Sequence, residues 1–385
     1  MKNAYGALDR LLHRLAFAHP AIQRTLGEVE NDLFRARLAG VELHRPTFVT
    51  GLPRAGTTLV LELLHATGAF ASFTYRQMPL VLAPLLWDRL SARSRRAGTA
   101  VERAHGDGMT VSFDSPEAFE EVLWLAHLRQ RIVGARTLEP LGAEDLGEDF
   151  PDAFRALARK VVALGTVPDT GPADARSDGD APAPTPRYLS KNNANVARLP
   201  ALAALADDAV VLCCFRHPAA HVASLDAQHR NFTTLHEGDA FARRYMAWIG
   251  HHDFGANFLP IRAGAIDGAP PVPERAFWLR YWSAVYARAL QTAPAHVAFV
   301  DYDALLAGGS NGLERLAEDA RLDPGAARRL VDQAPRLRAP TSAPAELDAF
   351  APEIADEARA VHARLIERSS AARRPITDEE TSPTP

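Results

Sequence analysis

Within the segment Phe48-Val-Thr-Gly51-Leu-Pro-Arg54-Ala-Gly56-Thr57-Thr58-Leu-Val-Leu, two glycines, an arginine and two adjacent threonines stand close together. The segment starts β-branched and apolar, passes through glycine and proline, and ends in a helix-like run. That order predicts a strand, a tight loop and a helix N-terminus. Such a loop points backbone N–H groups and the positive end of a helix dipole at one spot, which suits an anion. The two glycines have the spacing of G-x-x-x-x-G-K-[ST], but Thr57 stands where the lysine belongs. That lysine normally reaches the β/γ-phosphates of a triphosphate, so its absence argues against ATP or GTP hydrolysis. The cation lies inside the loop instead, at Arg54. An internal guanidinium with loop N–H groups and hydroxyls suits a shorter anion.

A second constellation is Phe215-Arg216-His217-Pro218, with Ser224 eight residues after the arginine. The apolar run Ala209-Val-Val-Leu-Cys-Cys-Phe215 reads as a central parallel strand, buried on both faces. Arg216 then stands at its carboxyl end, where ligands gather in open α/β sheets. Arg216 by a forked contact and Ser224 by its hydroxyl suit a second phosphate. Taken together, the two constellations imply a nucleotide with two separate phosphate groups.

The elements that must hold these residues alternate between strand and helix. Residues 5–40 and 75–104 read as helical, Ser115-Pro-Glu117 as a helix start, and 187–193 as a short strand ending in a polar turn. Helices follow near 194–206, 219–231, 239–249 and 274–293, with a strand at 297–300. This pattern predicts an α/β fold: a P-loop-like parallel sheet flanked by helices, with additional helices. A single domain over 1–385 is expected, with an N-terminal helical segment 1–45 and a polar tail 370–385. Residues 165–187, rich in Pro, Asp, Ala and Gly and without an aromatic residue, read as a disordered insertion. The 385 residues carry a formal net charge of −4, which lacks the basic footprint of a nucleic-acid binder. No apolar run reaches the length of a membrane span and no secretory leader is evident, so a cytoplasmic location is expected. Cys213 and Cys214 read as buried strand residues.

These motifs, in this order, resemble the sulfotransferases that use 3′-phosphoadenosine 5′-phosphosulfate. The 5′-phosphosulfate loop of that family, P-[KR]-x-G-T-T, is matched by Pro53, Arg54, Ala55, Gly56, Thr57 and Thr58. Its 3′-phosphate motif is matched by Arg216 and Ser224. The turn Tyr188-Leu-Ser-Lys191-Asn192-Asn193 resembles one in bacterial and protein-tyrosine sulfotransferases, where a lysine at the position of Lys191 assists transfer. Val300-Asp-Tyr302-Asp-Ala-Leu resembles a later segment and puts Tyr302 at the nucleotide. The resemblance runs from about residue 46 to 325. It implies in-line transfer of a sulfuryl group to a hydroxyl or amine on a small-molecule or biopolymer acceptor, with no metal. An ATP-dependent phosphotransferase and a non-catalytic nucleotide-binding protein are the alternatives.

The family needs a general base, a histidine in some branches and a glutamate in others. The region after the first loop, Phe73-Thr-Tyr75-Arg76-Gln77-Met-Pro79, holds no carboxylate. His105, in a glycine-flanked turn and with a side chain that titrates near neutrality, is the first candidate. Asp107 and Glu117 are the others, although an acid in a first helical turn is favoured by the dipole alone. His217 and His221, four apart, have a metal-like spacing, but no carboxylate or cysteine completes a zinc set.

Overall fold

The structure, a computed structural model, describes residues 7–91, 101–102, 110–111, 119–165, 185–338 and 346–371. Five parallel strands form the central sheet: β1 (Thr47–Thr50), β2 (Phe70–Ser72), β3 (Arg187–Lys191), β4 (Val210–Phe215) and β5 (Ala298–Asp301). Their order is β2-β3-β1-β4-β5. The chain fills one side of β1 before crossing to the other, so β1 is the point where strand order reverses. Register sets Val49 opposite Lys191, Thr50 opposite Cys213, and Phe215 opposite Asp301. The carboxyl ends of β1, β3, β4 and β5 therefore share one edge of the sheet.

Side chains alternate between two cores. Phe48, Tyr188, Val211, Cys213 and Phe215 face one, with Trp124, Phe154, Trp278 and Trp282. Val49, Leu189, Val210, Leu212 and Cys214 face the other, with Val60, Leu64 and Leu313. A strand covered on both faces needs no polar alternation, which is why β4 is a continuous apolar run. The adjacent cysteines are both buried and free, one on each face.

The N-terminal segment holds three helices: Ala7–Ala16, Pro20–Leu33 and Arg35–Leu38. It is joined to the body by a buried ion pair. Lys160 Nζ lies 3.2 Å from Glu30 Oε2 and donates to the carbonyls of Gly27 and Leu82.

Three expectations are revised. Residues 75–104 are not one helix: Tyr75–Gln77 is a 3₁₀ turn, Pro84–Ser91 is α-helical, and Val101–Glu102 pairs antiparallel with Thr110–Val111. Pro79 and Pro84 explain the break, since proline lacks the N–H an interior helical position needs. The strand Phe70–Ser72 was not expected; it is a short edge strand with no alternating pattern. The helix after Arg216 runs from Pro218 to Gly238, further than the sequence indicated. The predicted insertion 165–187 and tail 370–385 fall almost entirely outside the described residues.

Candidate active site at the carboxyl edge of the sheet

The loop after β1 turns through three left-handed residues: Gly51 (φ 137°), Arg54 (φ 74°) and Gly56 (φ 88°). Glycine is demanded at two of them by contact as well as by φ. A Cβ on Gly51 would lie 2.2 Å from the Cys214 carbonyl oxygen, and one on Gly56 would lie 2.0 Å from the Tyr302 ring. Arg54 has a Cβ and adopts this conformation regardless, at a cost of about 1–3 kcal/mol for a residue other than glycine. Neighbouring contacts hold it there. Leu52 N–H donates to the Tyr286 hydroxyl, which donates to the Cys214 carbonyl. The Pro53 carbonyl lies 2.8 Å from His221 Nε2.

The tautomer of His221 follows from its other neighbour. Trp282 Nε1–H donates to His221 Nδ1 at 3.0 Å, so the proton sits on Nε2 and is donated to Pro53. Burial pushes the His221 pKa down to about 3. The imidazole is thus a neutral strut beneath the loop. Among the described residues no group of side chains has the makings of a metal site.

Gly56 caps the helix Thr57–His65 with no side-chain acceptor over the first turn. First-turn N–H groups of a helix have no acceptor within it. Pro53 and Ala55 are buried under the loop, while Arg54, Gly56 and Thr58 are half-buried at its surface. Buried Thr57 donates to Asn193 Oδ1 at 3.1 Å.

Arg216 follows β4. Its Nε lies 3.4 Å from Asp303 Oδ1, and its guanidinium sits 5.4 Å from the centre of the Tyr302 ring. Asp303 also accepts from the His217 backbone N–H. Burial raises the pKa of the Tyr302 phenol, with Arg216 and Arg54 acting against that shift. Ser224 lies one helical turn beyond His221, and Arg54 Nε donates to its hydroxyl at 3.1 Å. The two sequence constellations therefore meet side chain to side chain.

Lys191 ends β3 and is buried. The turn after it is tied to β1: Asn192 N–H donates to the Val49 carbonyl, and Thr50 Oγ1 donates to the Asn192 carbonyl. Lys191 lines a small cavity with Glu121, Asn193, Gly250, His251 and Asp253. Asn193 Nδ2 donates to Asp253 Oδ2, and His251 Nδ1 lies 3.9 Å from the same oxygen. A polar chain thus runs from Thr57 in the loop through Asn193 to Asp253.

Sequence reasoning missed the support beneath this turn. Glu121 accepts from Asn192 Nδ2 at 2.6 Å and from Arg198 Nη2 at 3.0 Å. Glu120 accepts from Trp124, Tyr188 and Asn195. Both acids are buried, although an acid near a helix start has a sufficient explanation in the dipole alone. The described helix begins only at Glu121. The available signal was a pair of acids next to Phe119 and Val122, in a stretch too apolar for a solvated face. His105, Asp107 and Glu117 lie outside the described residues.

The sulfotransferase family model matches residues 46–267. Among solved structures, the chain is similar to the sulfotransferase STF1 from Mycobacterium tuberculosis H37Rv, at 17% identity over 96% of this chain and 88% of that one, with a TM-score of 0.47. It is also similar to STF9 from Mycobacterium avium, at 15% identity over 95% of this chain and 87% of that one, with a TM-score of 0.47. No curated protein matches.

Proposed function

Because the chain belongs to the sulfotransferase family, we propose that its donor is 3′-phosphoadenosine 5′-phosphosulfate and its acceptor a hydroxyl or amine. The observation that carries this reading is the meeting of two cationic loops on adjacent strands, with Thr50 opposite Cys213 and Arg54 in contact with Ser224. In this reading the loop N–H groups, Arg54, Thr57 and Thr58 hold the 5′-phosphosulfate. Arg216 and Ser224 hold the 3′-phosphate. Tyr302 packs between Gly56 and Arg216, at the nucleotide.

The reaction asks mainly for positioning and charge stabilisation. An acceptor oxygen or nitrogen donates an electron pair to sulfur as the bond from sulfur to the bridging oxygen breaks, and that pair leaves with the 5′-phosphate. By analogy with phosphoryl transfer, Arg54 and the loop dipoles stabilise the charge gathering on the leaving phosphate. Lys191 neutralises the bridging oxygen or the sulfonate. The acceptor proton passes to a general base. His105 is proposed for that role, with Asp107 and Glu117 as alternates. His105→Ala is then expected to abolish turnover and leave nucleotide affinity intact; retained turnover moves the role to an alternate.

Titration with adenosine 3′,5′-bisphosphate and with ATP tests the donor. The bisphosphate is expected to bind more tightly and to protect against heat; tighter ATP binding overturns the reading in favour of a phosphotransferase. Arg216→Ala removes charge-assisted hydrogen bonds of about 1.5–3 kcal/mol each, so bisphosphate affinity falls at least about tenfold. Affinity for adenosine 5′-phosphosulfate, which has no 3′-phosphate, is expected to hold. Equal losses for both would sink the role given to Arg216.

A further inference from the structure

The last helix, Pro352–Ala371, lies outside the segment that matches the family, and it packs against the second cationic strand end. Ala355, Ala358 and Leu365 of this helix are buried in the same core as Phe215 and Trp282. Among them stands half-buried His362. Its ring centre lies 6.3 Å from that of Trp282 and 6.0 Å from that of Phe215. It lies 5.1 Å from that of His217, the residue after Arg216. The two imidazoles meet edge to face, with planes 82° apart. His217 Nδ1 is buried without a hydrogen-bond partner among the described residues. Such an orphan is rare in a folded protein and calls for a role.

Charge lies close to the pair. After β4, Arg216 Nε is 3.4 Å from Asp303 Oδ1, and Asp303 Oδ2 accepts from the His217 backbone N–H. Burial holds the His362 pKa below its ordinary value, His217 adds to that shift, and Asp301 and Asp303 after β5 oppose it. On the last helix itself, Arg359 is taken up by Asp348 and Asp356. From the helix Arg275–Thr292 the neighbour is uncharged Trp282. His221, beyond Trp282, is the neutral strut. A phosphate on Arg216 would add negative charge to the side that favours a protonated imidazole.

We infer that the last helix is part of the nucleotide site: His362 and His217 form an imidazole pair that takes up one proton from solvent when the 3′-phosphate binds, setting a second cation beside Arg216. The inference rests on the donor reading above. Two protons would place like charges side by side, so the pair titrates as a unit and takes one. In the edge-to-face arrangement the charged ring meets the face of the other. The complex then holds one more proton than the separate partners, so affinity for a 3′-phosphate rises as pH falls.

The probes are adenosine 3′,5′-bisphosphate and adenosine 5′-monophosphate, which has no 3′-phosphate. Each is titrated calorimetrically at pH 8.5 and pH 5.5 into full-length wild type and His362→Gln. The phosphates themselves titrate in this range, but equally for both proteins, so the ratio of the two affinities isolates the imidazole. For the bisphosphate, wild type and His362→Gln are expected to converge at pH 8.5. At pH 5.5 the wild type is expected to bind up to about tenfold more tightly, the equivalent of one pKa unit. For the monophosphate the ratio is expected to stay near one at both pH values. A purely structural role for His362 would not produce a ratio that depends on both pH and the 3′-phosphate. If His362→Gln does not fold, His217→Gln tests the pair from its other side with the same expectation. A bisphosphate ratio that does not change with pH overturns the inference and leaves the donor reading standing. So does an equal change for the monophosphate. Failure of the wild type to bind the bisphosphate at either pH overturns the donor reading, and the inference with it.

Discussion

The loop Gly51–Gly56 rests on neutral groups, whereas the turn after Lys191 rests on buried charge. Under the loop, Tyr286 bridges Leu52 N–H to the Cys214 carbonyl, and His221 joins Trp282 to the Pro53 carbonyl. Under the turn, Glu121 joins Asn192 to Arg198, whose guanidinium also lies 4.5 Å from the centre of the Trp124 ring. The contrast has a physical rationale. A buried charge beneath a loop proposed to hold an anion would add a long-range field to one that the N–H groups and Arg54 supply. Neutral partners position the backbone without altering that field. The turn instead has to hold a lysine, Lys191, at a buried strand end, and carboxylates close by suit a cation. The two supports should therefore fail differently.

The largest effect is expected at Glu121. Glu121→Ala leaves Arg198 buried without its anion, and breaking a buried pair in this way costs about 3–5 kcal/mol. Chemical denaturation would read it as a lowered midpoint. A loss as small as that from the neutral side would break the contrast between the two supports.

Tyr286→Phe is expected to cost less. It keeps the ring in the core and leaves Leu52 N–H and the Cys214 carbonyl without their partner, a penalty of about 1–3 kcal/mol. The same denaturation series measures it, and bisphosphate affinity should fall with it because the loop loses an anchor. Affinity that holds while stability falls would separate the anchor from the loop's geometry.

The smallest effect concerns pH. His221 has a folded pKa of about 3 against an ordinary 6.5. Between those values the unfolded chain binds a proton that the folded chain does not, so stability rises with pH across the window. The contribution is present above pH 6.5 and erodes as pH falls toward 3, at no more than about 1.4 kcal/mol per pH unit. Unfolding at pH 7 and pH 5 should show a smaller drop in His221→Gln than in the wild type. Parallel drops would mean that His221 does not titrate on unfolding.

Much of the sheet edge is legible in the sequence. The two glycines before Thr57 and the unbroken apolar run before Arg216 are local patterns, and each marks a strand end by itself. Phe70–Ser72 was not legible, because three residues carry no period and an edge strand needs only a neighbour. Glu120 and Glu121 were not legible as a buried support for a related reason. Acids at a helix start have a sufficient local explanation in the dipole, and nothing nearby in sequence announces Arg198, Asn195 or Tyr188 as partners. The histidine at 221 had a metal-like spacing from His217, yet its role depends on Trp282 and Pro53, both distant in sequence.

The sequence by itself determined the glycine loop after the first strand, the second cationic strand end and the order of strands and helices, since these follow from backbone conformation and short-range pattern. Only the tertiary structure decided that Arg54 touches Ser224, that His221 is a neutral strut, and that Glu121 joins Asn192 to Arg198 beneath the turn after Lys191. Those facts are distances across separate elements. They arise when parallel pairing brings the carboxyl ends of four strands to one edge, a consequence of register that no single segment encodes.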